Sequence, residues 1–421
     1  MKHVRNFHRT LIGKIFLSFL GVLIALYLLL FTPFGNRLMI PLIKKSLSSA
    51  LDTPIAVQEF ALTRERFHLI FQDHLGNTVS SQGGISLLTL RMYAHYRIEG
   101  LQYGGFNPIS NPFKTEGSLS GGIASFSVHG NGTILDGNII YKLELHRFSL
   151  ATLDIELNKI AYAPLMELLH YPSNTDTVIS GNISLNGFDR RDVGGKIDLT
   201  AHTKRFLPTP ITEDSNESVT FKSLLADSNG QVKPFHVDVA LNLSLDHAGI
   251  LEQFVGVPLG GRVNAKATIK GDQKHLRLNA ASDVARSDTT LLIEIPNLEP
   301  SSIVFDLKHA NAEETFELFA LPSPIKGNLS AYADLNTTEG KLQISVIEGS
   351  TIPSVLKQHY QITQPFMRFN AEVNADLSSK EVHYRGIFKS DLGRMEIDNT
   401  TTHDQMIHDL LKTIPSGSPH R

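Results

Sequence analysis

The segment HVDVALNLSL, residues 236–245, carries an apolar side chain at every second position and mostly polar side chains between them. Successive side chains of an extended chain point to opposite sides, so Val237, Val239, Leu241 and Leu243 would share one face. This period of two predicts a β-strand with one apolar and one polar face, which is typical of an antiparallel sheet.

The same alternation recurs along the rest of the chain. It is found in VNAKATIK (263–270), KLQISVI (341–347) and MRFNAEVNADL (367–377), and in the shorter GKIDLTA, HLRLNA and TLLIEI. Steps rich in glycine, asparagine and aspartate lie between such segments and supply the positive φ angles that tight hairpins require. The predicted fold is therefore mainly β, with turns at Gly130-Asn131-Gly132, Asp136-Gly137, Asn186-Gly187 and Gly271-Asp272.

Composition excludes several classes of protein. Of the 421 residues, 41% are apolar and 19% are charged, which fits a folded chain rather than a disordered one. The net charge of −3 gives no basic excess of the kind that directs proteins to nucleic acid. The chain contains no cysteine, so it has no disulfides, no thiolate metal site and no cysteine nucleophile.

The N-terminus predicts a membrane anchor. Residues 15–31 include no charged side chain, and residues 11–13 extend the run past Lys14. A helix over residues 11–31 would reach about 31 Å, enough for a bilayer core of about 30 Å. The alternative is a cleaved signal peptide, but FTPFGNRL offers no small-x-small cleavage site.

The charges around this run predict its orientation. Lys2, Arg5 and Arg9 precede it, which places the N-terminus in the cytoplasm under the positive-inside rule. The predicted location is a bacterial inner membrane, crossed once, with the bulk of the chain after residue 32 in the periplasm. Three basic residues beyond the run are predicted to lie near the membrane, either facing anionic headgroups or as ordinary surface charge: Arg37, Lys44 and Lys45.

Short apolar stubs form a loose internal repeat. Each of LMELLHYP (165–172), LEQFVGVP (251–258) and FELFALP (316–322) ends at a proline, and a glycine then begins a strand, at Gly181, Gly261 and Gly327. LSSALDTP (47–54) and IHDLLKTIP (407–415) are weaker copies. The alternative interpretation is that apolar-Pro-Gly is simply how helices end. Residues 203–234 are predicted to form a polar loop between modules.

In this layout the chain resembles the AsmA-like family, which includes proteins of the TamB and YdbH types. The resemblance depends on TPFGNRLMIPLIKKSLSSALDTPIAVQEFAL (32–62) after the apolar run, on the early glycine-rich turn and strands of SSQGGISLLTLRMYAHYRIEGL (80–101), and on the recurring stubs. It implies an elongated, curled antiparallel sheet, called a β-groove, with an apolar concave face and a chorein-like N-terminus. It also implies phospholipid movement or outer-membrane maintenance from an inner-membrane anchor.

The resemblance and the periodicity together predict how the chain is organised. A cytoplasmic tail occupies 1–10 and the transmembrane anchor 11–31. The start of the β-groove spans 32–155, modules with helical stubs span 156–360, and strands with a terminal helix span 361–421. The residues predicted to line the lipid groove are Val237, Val239, Leu241, Leu243, Val263, Ala265, Ala267, Ile269, Leu342, Ile344, Phe369, Ala371 and Val373.

The predicted function is to bind or conduct phospholipids along this apolar face and so to contribute to envelope lipid homeostasis. Many of its apolar positions are alanine or valine, which leave width for lipid tails, although a closed β-sandwich also uses small residues. The alternative function is an envelope scaffold that binds an outer-membrane or other envelope protein through sheet edges. Nucleic acid is not an expected partner.

The search for chemistry predicts no enzyme. The sequence has no Gly-x-Ser-x-Gly, no His-Glu-x-x-His, no Walker loop and no dinucleotide fingerprint. GSLSGG (117–122) is interpreted as a glycine-rich turn. The 18 histidines are scattered, and neither His68 with His74 nor His403 with His408 has convincing metal-ligand spacing. No catalytic residue, metal site or cofactor is predicted.

Overall fold

The computed structural model describes residues 31–50, 53–86, 89, 91–103, 109–122, 124–147, 149–168, 175–205, 234–252, 258–378 and 381–402. Within these ranges the chain forms twenty strands and a few short helices, so the prediction of a mainly β protein is confirmed. The chain divides into two compact units, Met1–Ile160 with Glu167–His170, and Ala161–Met166 with Tyr171–Arg421.

Several predicted features lie outside the described residues. These are the cytoplasmic tail, the anchor apart from Phe31, most of the 203–234 loop and the terminal helix at 407–415. The predicted boundary at 155/156 falls within a strand, and the boundary at 360/361 falls at the end of a helix.

The first unit contains one helix and a series of neighbouring strands. Each strand pairs antiparallel with the next one along the chain. The elements are α1 (Pro33–Ala50), β1 (Ile55–Leu62), β2 (Arg66–Asp73), β3 (Thr78–Ser86), β4 (Arg91–Tyr103), β5 (Ile109–Gly122), β6 (Ser125–Ile134), β7 (Gly137–His146) and β8 (Ser149–Ala161).

Helix α2 (Tyr162–Leu168) begins in the second unit. Its strands are β9 (Asp176–Asn186), β10 (Asp192–Arg205), β11 (His236–Leu245), β12 (Val263–Asp272), β13 (Leu276–Ser282), β14 (Asp288–Ile295), β15 (Ser302–Asn311), β16 (Ile325–Asn336), β17 (Glu339–Thr351), β18 (Arg368–Ser378), β19 (Val382–Ser390) and β20 (Gly393–Thr401). Every neighbouring pair is antiparallel except β10 and β11, which run parallel with Asp192 opposite His236.

The second unit contains helices in several of its connections, and two short 3-10 helices, Phe188–Arg190 after β9 and Pro296–Leu298 after β14, lie outside the set described next. The connections after β11, β13, β15 and β17 contain the 3-10 helices Ala248–Leu251 and Val284–Arg286 and the helices α3 (Ala312–Leu318) and α4 (Pro353–Tyr360). Because the strands from β11 onward alternate in direction, these four connections lie at the same end of the sheet. We call this the helical end.

Local signals explain where these helices begin and stop. The Asn311 side chain accepts a hydrogen bond from the Glu314 backbone N–H at 3.0 Å, which caps the first turn of α3. Helix α4 begins with Pro353, whose missing N–H costs nothing in a first turn, and ends at Gln361, which adopts a left-handed conformation (φ 58°). Both α4 and the turn at Val284 were missed by the sequence pattern, which required proline at the end of a stub.

The predicted stub repeat is therefore correct only in part. Helix α2 and the 3-10 helix at Ala248 overlap the first two stubs, and α3 overlaps the third but ends at Leu318. Gly261 precedes β12 as expected, whereas Gly181 lies in the middle of β9. At Gly181 a Cβ would lie 2.0 Å from the Asp198 carbonyl oxygen, so glycine permits a close approach of the neighbouring strand rather than starting a new one.

Three glycine-rich segments predicted as turns are strands instead. Gly130-Asn131-Gly132 lies inside β6, GSLSGG lies inside β5, and the glycine pair at 83–84 lies inside β3. The predicted turns at Asp136-Gly137, Asn186-Gly187 and Gly271-Asp272 do separate strands. The error has a physical cause, because the glycines within β5 and β6 make room for aromatic rings.

Two tyrosines bridge the strands over these glycines. Across β4 to β7 the register places Tyr96, Gly117, Gly130 and Tyr141 in one row. The two hydroxyl oxygens are 2.8 Å apart, and the Tyr141 hydroxyl is also 2.7 Å from Thr115 Oγ1. A Cβ on Gly130 would lie 2.5 Å from Tyr141 Oη. Burial, together with the hydrogen bond to Tyr141, raises the pKa of Tyr96.

We expect Gly117→Ala to lower the free energy of unfolding by about 1–3 kcal/mol, as overpacking does. The new Cβ would lie 2.0 Å from the His129 carbonyl oxygen and 2.6 Å from Tyr96 Oη, so the backbone and the bridge must both shift. Urea unfolding of the full chain measures the change. Gly194→Ala is the control, since its nearest neighbours would be 3.6 Å away. Equal losses in both variants would contradict the role given to the bridge.

Candidate functional site: an apolar sheet face

The register of the second unit extends one apolar face across consecutive strands. Leu241 pairs with Ala267, and Ala267 pairs with Ala280. The row continues on both sides because each pairing keeps the alternation in phase. Its members from β9 to β15 are Ile183, Ile197, Leu241, Ala267, Ala280, Leu291 and Phe305.

The thirteen residues predicted to line a groove occupy this face in two groups. In the first group, β11 and β12 bring Val239 opposite Ile269 and Leu243 opposite Ala265, and Val237 and Val263 lie on the same two strands. In the second group, β17 and β18 bring Ile344 opposite Val373. Leu342, Phe369 and Ala371 belong to these two strands as well, opposite Ala375, Gly349 and Val346. Four strands separate the groups.

The burial of this face varies along the sheet. The row from Ile183 to Phe305 is half-buried throughout. Farther along, the corresponding position on β19 is Tyr384, which is fully buried and packs with Ala375 and Val382. Of the thirteen predicted residues only Val239 and Val373 are buried, and the others are half-buried. The strands β18 and β19 therefore contain packed core, whereas the face from β9 to β15 retains accessible apolar surface.

The helical end closes one side of the face. Leu245, the last residue of β11, is 1% exposed and packs with Tyr162, Met166, Ala201 and Ile250. The Tyr162 hydroxyl donates a hydrogen bond of 2.7 Å to the Ile250 carbonyl, which joins α2 to the 3-10 helix. A second cluster, formed by Val284, Ala285, Leu307 and Ala310, lies beneath α3. Most of the well-packed hydrophobic core thus lies at the strand ends.

The opposite face of the same sheet is mostly polar and carries ion pairs, although Ala240, Leu292 and Val304 also lie on it. Lys270 Nζ lies 2.7 Å from an Asp238 oxygen, and Arg277 lies 2.6 Å from Glu294. Further pairs join Lys308 to Asp306 and Arg385 to Asp398. These side chains are largely solvent-exposed, so the pairs contribute little to stability but keep this face hydrated.

The pKa shifts on the polar face follow from these contacts. A hydrogen bond from Asn242, and then one from Lys196, holds the pKa of Asp198 below its ordinary value. The hydrogen bond with Asp238 raises the pKa of Lys270. Both shifts favour the charged forms of these two groups at neutral pH.

The first unit has its own apolar face, which the sequence analysis did not assign. One row across β1 to β8 is Leu62, Phe67, Gly83, Ala94, Leu119, Val128, Leu143 and Leu153. The Tyr96–Tyr141 bridge lies in the neighbouring row. Alternation in RFHLIF and IIYKLEL was the signal that could have revealed it.

Helix α1 presents a third apolar surface. Phe34, Leu38 and Leu42 are 74%, 50% and 65% exposed. The predicted membrane-proximal residues Arg37, Lys44 and Lys45 are exposed on the same helix. We call these six residues the exposed helix surface. Among the described residues, no helix is both long and apolar enough to cross a bilayer.

The described histidines were considered as metal ligands. His68 Nε2 lies 3.3 Å from a Glu59 oxygen, and His74 Nδ1 lies 2.6 Å from Thr53 Oγ1. In the part of the chain that the structure describes, no three histidine, aspartate or glutamate side chains are grouped to hold a metal ion. His403 and His408 lie outside that part.

Comparison of the chain with protein-family models, with curated proteins and with solved structures gives no match in any of the three. The resemblance to the AsmA-like family therefore stays a prediction made from layout.

We expect Leu245→Ala and Leu241→Ala to differ in cost although both residues lie on the same face of β11. Leu245 is enclosed at the helical end, so its truncation should lower the free energy of unfolding by about 2–5 kcal/mol. Leu241 is half-buried, and its truncation should cost about 1 kcal/mol. Urea unfolding of both variants tests this. A loss at Leu241 as large as that at Leu245 would mean that the middle of the face is closed core.

Proposed function

We propose that this protein binds phospholipids through the apolar face of its sheet and that it does so without catalysing a reaction. The observation that carries the proposal is the half-buried row from Ile183 to Phe305, which crosses seven strands in register. The opposite face holds the ion pairs and favours contact with water, whereas the apolar face favours contact with lipid tails.

The size of this row suits a lipid tail. Seven strands from β9 to β15, at about 4.8 Å spacing, give six intervals or about 29 Å. One leaflet of a bilayer core is about 15 Å thick, half of about 30 Å. An acyl chain lying across the strands would therefore find apolar contacts along its whole length. The small side chains of Ala265, Ala267 and Ala280 leave room above the sheet for it.

Without a ligand, the accessible apolar side chains of this face are in contact with water, which is unfavourable in free energy. Burial of apolar surface contributes roughly 25 cal/mol per Å², so tails that cover these half-buried side chains would gain free energy. Contiguous apolar surface on a folded protein commonly marks a site for a lipid, a membrane or another protein.

The finer parts of the proposal come from the sequence. The apolar run at 11–31 and the basic residues before it support an inner-membrane anchor with the bulk of the chain in the periplasm. The AsmA-like layout supports an elongated, curled β-groove and a role in envelope lipid homeostasis. Under this proposal phospholipids enter near α1 and move along the apolar face.

We expect Ala267→Glu to reduce co-purified phospholipid by about tenfold or more, because an unpaired carboxylate beside apolar tails costs more than the roughly 1.4 kcal/mol that a tenfold change represents. Its direct neighbours, Leu241 and Ala280, offer no cation. Lipid extraction of the purified full chain followed by mass spectrometry measures the effect.

Thr268→Glu is the matched control for this variant. Thr268 is the next residue on β12, lies on the polar face and has Lys266 and Lys270 two positions away on either side. The control should keep its lipid and its stability. If the unsubstituted chain carries no phospholipid, or if both glutamate variants retain it equally, the proposal is wrong. If Ala267→Glu unfolds the protein, the face is a closed core.

A second candidate function is a scaffold that binds an envelope protein through a sheet edge. Within the described residues, β20 pairs only with β19, so its other side is a candidate for β-augmentation. Glu396→Pro would remove a backbone donor from that side, because Glu396 lies opposite Ile387 at a position of the hairpin where the two strands do not exchange hydrogen bonds. Loss of a co-purifying outer-membrane or envelope protein in this variant, with no lipid in either form, would favour the scaffold.

A further inference from the structure

The exposed helix surface has an arrangement that a core-packing helix does not have. Phe34, Leu38 and Leu42 are spaced four residues apart, so they form one stripe along α1. All three are large apolar side chains that are at least half exposed. Lys45 follows Leu42 by three positions and lies on the same side, and Arg37 and Lys44 flank the stripe.

Helix α1 is held to the first strand near both of its ends, at Asn36 opposite the stripe and at Ser48 in the last turn. The Asn36 amide donates a hydrogen bond of 3.2 Å to the Leu62 carbonyl at the end of β1. The Ile55 backbone N–H donates one of 3.2 Å to Ser48 Oγ at the start of β1. Asn36 and Ile55 are both buried. The helix therefore already has a partner on one side, and the apolar stripe is the side left over.

The charge of this helix selects among possible occupants. No aspartate or glutamate occurs between residues 31 and 50, and the three charged side chains are all basic. An apolar stripe bordered by lysine and arginine is the pattern of helices that lie in the interface of a membrane with anionic lipids. A protein partner would have to supply apolar and acidic groups together, whereas an anionic bilayer surface supplies both over its whole area.

We propose that α1 lies in the plane of an anionic membrane surface, with Phe34, Leu38 and Leu42 inserted among the lipids and with Arg37, Lys44 and Lys45 at the headgroups. The apolar stripe then leaves water without a second protein. Strand β1, held at both ends of the helix, lies directly beside the membrane surface. This inference does not require that the sheet carry lipid.

The absence of cysteine makes the test direct, since one introduced cysteine gives one labelled position. The full chain with Leu38→Cys, labelled with an environment-sensitive fluorophore, is reconstituted in vesicles of phosphatidylcholine with phosphatidylglycerol. Nitroxides placed on the lipid tails near the headgroups then quench fluorophores that enter the interface. Leu42→Cys provides a second position on the stripe, and Leu392→Cys provides a control at an exposed leucine, 60% accessible, in the turn after β19.

We expect at least threefold stronger quenching at positions 38 and 42 than at 392. We also expect the quenching to weaken when phosphatidylglycerol is omitted and when Lys44→Glu and Lys45→Glu are introduced together. Quenching at 38 and 42 no stronger than at 392 would overturn the proposal. Quenching that is indifferent to phosphatidylglycerol would overturn the assignment to an anionic surface. Ala267→Glu should leave all of these values unchanged, so failure of lipid carriage would be distinguishable from failure of the interfacial helix.

Discussion

Cross-strand register is the constraint on which the rest of the structure depends. Side chains alternate along each strand, so a slip of one residue in any pairing would move the apolar positions of that strand to the polar side. From β9 to β20 the pairings keep most of the Leu, Ile, Val and Ala residues on one side. Register shifts occur at the end of β10, between Thr203 and Arg205, and where β15, β16, β17 and β18 approach the helical end. The ion pairs on the other side, such as Lys270 with Asp238, hold the same register from the hydrated face.

The periodicity of the sequence was enough to predict the class of fold and the residues that share a face. Segments such as HVDVALNLSL alternate so regularly that only one assignment of faces is available. The depth of burial could not be predicted in the same way. Leu241 and Leu245 occupy equivalent positions in the pattern, yet Leu245 is enclosed because Tyr162 comes from a helix far away in the sequence and Ile250 from the 3-10 helix that follows the strand. Alternation in the sequence indicates on which face of the sheet a side chain lies. Whether that side chain is buried depends on which other elements pack against the face.

The glycines show a second limit of prediction from sequence, because a local turn signal can be overridden by contacts with distant residues. A glycine next to asparagine or aspartate is the usual sign of a turn, and Asp136-Gly137 follows this rule. Gly130 does not, because the Tyr96 and Tyr141 rings occupy the space that its side chain would fill. That pairing spans 45 residues, and no local signal distinguishes it from a hairpin. The apolar face of the first unit was overlooked for a related reason, since glycines interrupt its rows and weaken the alternation.

Among the described strands β10 and β11 are the one parallel pair, and this has a consequence for how the sheet can change in length. In an uninterrupted meander, connections alternate strictly between the two ends, and the connection after β11 would lie opposite the one before β9. The parallel step reverses that parity, so that α2 and the 3-10 helix at Ala248 meet and Tyr162 reaches Ile250. After this point the connections that form the helical end follow one another at intervals of two strands. Insertion or loss of two neighbouring strands would leave the later connections of this set at the helical end. Insertion or loss of one strand would move them to the opposite end of the sheet. The second unit can therefore be lengthened or shortened by evolution in steps of two strands.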